Sequence, residues 1–186
     1  MNIQWVLSDD FILDNAEQLS AMRQAGSFWG SWRTWRAYNT DNVVCHKVGK
    51  AQELVSRQFQ TRCNFYIPNS VYQSLDRPAG VRVYEGDFMG HDVENQDEIV
   101  ALNLAGSIAD VVLLLGFDWS EQPEPTDPVQ KRRHTAYQGL VKQAVSTRPN
   151  VQWILVDHST ALRPTLSDLK NLDRDNLIQV LKLLNG

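Results

Sequence analysis

The stretch that decides the fold is Val111-Val112-Leu113-Leu114-Leu115-Gly116-Phe117, which ends on Asp118-Trp119. A run of four to seven Val, Ile, Leu and aromatic residues reads as a strand buried on both faces, as strands of parallel sheets are. Five further apolar runs end on polar clusters in the same way. Residues 3–7 (IQWVL) lead into Ser8-Asp9-Asp10, and 43–45 (VVC) into His46-Lys47. Residues 65–67 (FYI) precede Pro68-Asn69-Ser70, 81–84 (VRVY) precede Glu85-Gly86-Asp87, and 151–156 (VQWILV) precede Asp157-His158-Ser159.

Helical signals alternate with these runs. Asp14, three residues before Glu17, fits a capping box opening a helix towards Met22. Residues 47–59 place Val48, Ala51, Leu54 and Val55 on one helical face. Asn95-Gln96-Asp97-Glu98 reads as another capping start, leading through Ile99, Leu102 and Ala105. Asp127-Pro128 sets an N-cap before a proline at the first helical position, ahead of Tyr137, Leu140, Val141, Ala144 and Val145. Leu177, Val180, Leu181 and Leu184 form a closing helix. The expectation is one three-layer α/β domain over residues 1–186, Rossmann-like or flavodoxin-like, with a mostly parallel sheet of about six strands.

Size and composition agree with that expectation. A chain of 186 residues with 42% apolar and 22% charged residues can bury a large core. No apolar stretch approaches the roughly 20 residues of a membrane span, and the start lacks signal-peptide features, so a cytoplasmic protein is expected. Cys45 and Cys63 have no CxxC spacing and read as free thiols in a reducing compartment. A net charge of −4 argues against a general nucleic-acid binder. Residues 27–62, however, carry Arg33, Arg36, Lys47, Lys50, Arg57 and Arg62 against Asp41 and Glu53, a local +4 that leaves −8 elsewhere. Such a field suits a small anionic ligand.

In an open parallel sheet the ligand crevice lies outside the carboxyl ends of the strands. The candidate catalytic residues are therefore His46, Asp118, Asp157 and His158, because imidazoles titrate near neutral pH and carboxylates orient hydroxyls. Ser8, Asp9, Asp10, Asn69, Ser70, Glu85 and Gly116 are expected to line the crevice. Arg33 and Arg36 are expected to hold phosphate, within a segment where Trp29, Trp32 and Trp35 recur every third residue. That spacing equally describes a buried helical edge. Aspartate and histidine would suit a divalent cation, but no zinc-type spacing occurs and no metal is assigned. GxGxxG, GxxxxGK[ST] and GxSxG are all absent, so no particular cofactor is implied.

Residues 95–119 (NQDEIVALNLAGSIADVVLLLGFDW) resemble the central segment of Rossmann-like transferases that include bacterial sialyltransferases and hydroxymethyl-dihydropterin pyrophosphokinase-like proteins. The resemblance implies a small-residue helix, a strand, and then Gly116 and Asp118 facing a ligand. The glycine-rich turn of that group is replaced here by Ser8-Asp9-Asp10. Residues 5–11 (WVLSDDF) are also similar to the first block of SGNH hydrolases, and 114–119 (LLGFDW) to their Gly-x-Asn-Asp block. In that comparison Asp10 stands at the nucleophilic serine position and Phe117 at the asparagine position. Three functions follow as expectations: a group transferase acting on a nucleotide, nucleotide sugar or phosphorylated small molecule; a non-catalytic binding protein on a degenerate enzyme scaffold; or a metal-assisted or SGNH-like hydrolase. Six tryptophans leave room for an apolar surface and self-association.

Overall fold

The computed structural model describes residues 1–13, 15–85, 96–117, 126–157 and 172–185. Its strands are β1 (Ile3–Leu7), β2 (Ser27–Ser31), β3 (Asn42–Val44), β4 (Asn64–Pro68), β5 (Arg82–Tyr84), β6 (Val111–Leu115), β7 (Gln152–Asp157) and β8 (Leu172–Asn176). All pair in parallel, in the order β5-β4-β3-β2-β1-β6-β7-β8. The α/β class is as expected. Among the described residues the sheet has eight strands, not about six.

The two additional strands are β2 and β8. β2 (SFWGS) has only two large apolar residues, but they point opposite ways: Phe28 joins the core on one face of the sheet and Trp29 the core on the other. The chain then turns straight into helix α2 (Trp32–Tyr38), capped by the Ser31 hydroxyl. The tryptophan triplet therefore spans a strand and a helix, not one helical edge. β8 (LDRDN) is an outer strand held through its backbone to β7.

Helices α1 (Ala16–Ala25), α3 (Val48–Ser56), α4 (Asn69–Ser74), α5 (Gln96–Ile108), α6 (Pro128–Ser146) and α7 (Leu177–Asn185) complete the layers. Asn15 caps α1 through the amides of Glu17 and Gln18, one residue beyond the expected start. Asp127 caps α6 as anticipated, with proline next to it. Alternation along β1 divides the core: Val6 faces α5 and α6 with Trp29, Leu114 and Trp153, whereas Ile3, Trp5 and Leu7 face the α1 and α7 side. A third cluster packs α3 and α4 on Val43, Phe65 and Ile67, with Trp32 and Trp35 beside it. Among the described residues no helix is long and apolar enough to cross a membrane.

Strand order reverses between β1 and β6. From β1 the chain winds outward to β5, returns through α5, and winds the other way through β6, β7 and β8. α5 therefore lies across β1, β2 and β3 on its way back. A crossover helix starts at the carboxyl edge of a parallel sheet, so the first turn of α5 arrives among the ends of those strands.

Candidate functional site

The residues after β1 make a tight turn. The Ser8 amide donates to the Leu115 carbonyl (2.9 Å), and the Phe11 amide to the Ser8 carbonyl (3.1 Å). Gly116 closes this junction at φ +77, where an added Cβ would lie 2.9 Å from the Phe11 Cβ and 3.0 Å from the Phe11 amide nitrogen. Glycine is thus required there by conformation and by close approach. The Ser8 hydroxyl, almost fully buried, donates to Glu98 Oε1 (3.3 Å) and accepts the Asp10 amide (3.2 Å).

Asp9 occupies the centre. Its Oδ1 accepts the Ser31 hydroxyl (2.5 Å), and its Oδ2 lies 3.5 Å from the Arg33 guanidinium. Burial raises its carboxyl above the usual aspartate range against the lowering effects of Ser31 and Arg33, and the nearby Asp97 and Asp10 add to the rise. The approach of β2 to β1 needs Gly30: a Cβ would meet Thr34 Oγ1 at 2.1 Å and the Leu7 carbonyl oxygen at 3.3 Å. That absence of side chain lets the Ser31 hydroxyl reach across to Asp9.

From β3 comes His46. Asp97, in the first turn of α5, holds it at two points through one oxygen: the His46 amide donates at 2.8 Å, and ring Nδ1 lies 2.7 Å away. An oxygen already accepting an amide is an acceptor for the ring too, so Nδ1 carries a hydrogen, and in the neutral imidazole it is Nε2 that presents the lone pair. The imidazole is 25% exposed and the Asp97 side chain 11%, so the oriented ring borders solvent.

Glu98, next along α5, has no solvent exposure. It accepts the Asp9 amide (2.5 Å), the Ser8 hydroxyl and the Tyr137 hydroxyl of α6. Burial pushes it up to about 8 despite these donors, with Asp9 and Asp10 contributing to the rise. Tyr137 is driven well above its ordinary value by burial and by Glu98.

Beyond Arg33 the surface is cationic. Trp32 is flanked by Arg33 (5.8 Å from the ring centroid), Arg36 (5.9 Å) and Lys50 (4.1 Å). Lys50 also pairs with Glu53 at 2.8 Å. Both thiols are free, and burial pushes Cys45 and Cys63 up to about 12, with Asp97 adding to the rise at Cys45, which makes them poor nucleophiles.

The structure thus brings Ser8, Asp9, Asp10, Arg33 and His46 to one edge, with Arg36 at its margin. Asn69 and Ser70 open α4 after β4, and Glu85 follows β5. At roughly 4.8 Å per strand these lie about three and four strands from β1, so they do not converge with the group around Asp9. Asp118 and His158 lie outside the described residues, and of Asp157 only the strand backbone is described. Sequence reasoning missed Asp97, Glu98, Ser31 and Tyr137. Among the described residues no group of three or more His, Cys, Asp and Glu could hold a metal ion.

The chain is a doubly wound parallel α/β protein with a cluster of charged side chains beside its topological switch point. Against family models, curated proteins and solved structures, the chain matches none.

Proposed function

We propose that this protein binds a phosphorylated small molecule or nucleotide at the carboxyl ends of β1, β2 and β3 and transfers a group on it. The observation that carries the reading is the His46–Asp97 pair at 2.7 Å, an imidazole fixed by a carboxyl at a strand end. An imidazole so held can accept or deliver a proton at Nε2, the general acid–base role. Arg33, only partly engaged by Asp9 at 3.5 Å, and Arg36 supply the cationic side for phosphate, and Trp32 offers a ring face. Asp9 is suited to accept from a ligand hydroxyl. A small anionic ligand agrees with the local +4 better than a long nucleic acid does. Two thiols held in the protonated state suit a reducing cytoplasm.

The non-catalytic alternative is favoured by one observation: among the described residues no serine or cysteine is hydrogen-bonded to the His46 ring. A covalent serine route therefore lacks its nucleophile–base pair.

A thermal-shift screen of nucleotides, nucleotide sugars and sugar phosphates tests the reading. A ligand at about 100 times its Kd adds about 2.7 kcal/mol, which raises Tm by roughly 5–10 °C in a chain of this size. Arg33→Ala should weaken a hit, whereas His46→Gln should abolish turnover and leave binding. A screen without hits would defeat the proposal; hits without turnover would leave only the binding protein, and turnover unchanged in His46→Gln would remove His46 from the reaction.

A further inference from the structure

Glu98 has no part in the acid–base scheme above, yet it joins three elements at the switch point. Its Oε1 accepts from the Asp9 amide and the Ser8 hydroxyl after β1, and its Oε2 accepts from Tyr137 on α6. Among the described residues it makes no ion pair. Among the described residues the titratable groups that act most strongly on it are Asp9 and Asp10 from the β1 turn and Tyr137 from α6, and none of these three is cationic. Its neighbour on α5, Asp97, is engaged with His46.

We propose that Glu98 is a buried proton switch, which sets the hydrogen bonding of the Ser8-Asp9-Asp10 turn and, through Asp9, the charge that an anionic ligand meets beside Arg33. The consequence for ligands rests on the binding reading above; the switch itself does not.

Atom by atom, the two states differ. The ionised carboxylate accepts all three bonds. On protonation one oxygen must donate, and Oε1 is committed to an amide that cannot reverse. The proton therefore goes to Oε2, and the Tyr137 hydroxyl rotates from donor to acceptor. The Asp9 amide then faces a neutral carbonyl oxygen, and its bond loses charge assistance. Ionisation puts a second negative charge within hydrogen-bond reach of the Asp9 backbone and disfavours an anion at Arg33.

Carbon-detected NMR of the ligand-free protein tests this between about pH 6 and about pH 10. The Glu98 carboxyl should titrate near the middle of that range, and the Asp9 carbonyl and Tyr137 Cζ should follow with the same midpoint. In Glu98→Gln the Asp9 and Tyr137 shifts should be flat. Tyr137→Phe removes a donor to the carboxylate and should move the Glu98 midpoint upward. A Glu98 carboxyl that titrates in the ordinary glutamate range, or an Asp9 response that persists in Glu98→Gln, overturns the proposal. If Glu98→Gln does not fold, an unchanged midpoint in Tyr137→Phe overturns it instead. No ligand enters these measurements, so a failed ligand screen and a failed switch are separate results.

Discussion

Gly106→Ala should destabilise this protein, against the ordinary rule for a helix. Alanine in a helix is favoured over glycine by up to about 1 kcal/mol. At position 106, however, a Cβ would lie 2.7 Å from Trp153 Cη2, 2.9 Å from Cζ2 and 3.0 Å from Arg148 Cδ. Carbon atoms in contact prefer about 3.5–4.0 Å, so one partner must retreat by roughly 0.8 Å. Trp153 cannot retreat easily: it is fully buried on β7, between β6 and β8, and its indole N–H donates to the Arg148 carbonyl at 3.4 Å. Arg148 is itself held by Asn103 at 2.9 Å and by the Ala144 carbonyl at 3.2 Å. Overpacking of this kind costs about 1–3 kcal/mol, which after the helix-propensity gain leaves a net loss of up to about 2 kcal/mol and a fall in Tm of up to roughly 8 °C. Trp153→Phe removes the two offending ring atoms. In that background Gly106→Ala should be neutral or stabilising, with a coupling energy of at least about 1 kcal/mol in the double-mutant cycle. Thermal and urea unfolding of the four proteins would measure it. A wild-type background in which Gly106→Ala raises stability, or an equal loss in both backgrounds, would refute the packing argument.

Two further outcomes can be measured in the same way. Glu98 titrates near 8 in the folded protein and near 4.5 when unfolded, so its contribution to stability is fully present below about pH 4.5 and is lost as pH rises through 8. Urea unfolding should show stability falling between these limits by at most about 1.4 kcal/mol per pH unit, with part of that slope absent in Glu98→Gln; an identical slope in both proteins would contradict the assignment. Trp5→Phe should cost less than Trp29→Phe by about 1–3 kcal/mol, since the buried Trp5 indole N–H has no partner among the described residues, whereas that of Trp29 donates to Gln4 Oε1 at 2.6 Å and its loss orphans the amide oxygen. Equal unfolding free energies for these two variants would count against the hydrogen-bond reading.

The strands that could be read from sequence are those whose burial is written in their own side chains. Residues 111–115 are covered on both faces and apolar throughout, so local composition suffices. β2 hides because close approach, rather than side-chain bulk, buries half of it: Gly30 and Ser31 are enclosed by Thr34, Leu7 and Asp9. Only the neighbouring strand, supplied from elsewhere in the chain, makes SFWGS a strand. β8 hides for the opposite reason, since its pairing runs through backbone atoms that every residue type has.

The site divides along the same line. Ser8, Asp9 and His46 stand directly after strands, and a parallel sheet gathers such positions at one edge whatever the strand order. Strand order then decides which of them meet. The reversal between β1 and β6 sends α5 back across β1, β2 and β3, and this brings Asp97 to His46 and Glu98 to Asp9 across separations of 51 and 89 residues. In sequence, acids in a first helical turn are fully explained by the helix dipole and by capping, so nothing local singles out Asp97 or Glu98. The distinguishing fact is tertiary: a carboxyl at a crossover-helix start that is buried needs partners, and the topology brings it the groups at the strand ends and, for Glu98, the Tyr137 hydroxyl of α6. An acidic first turn following the outermost strand of a doubly wound half is therefore a site signal once the strand order is known, and a capping signal before that.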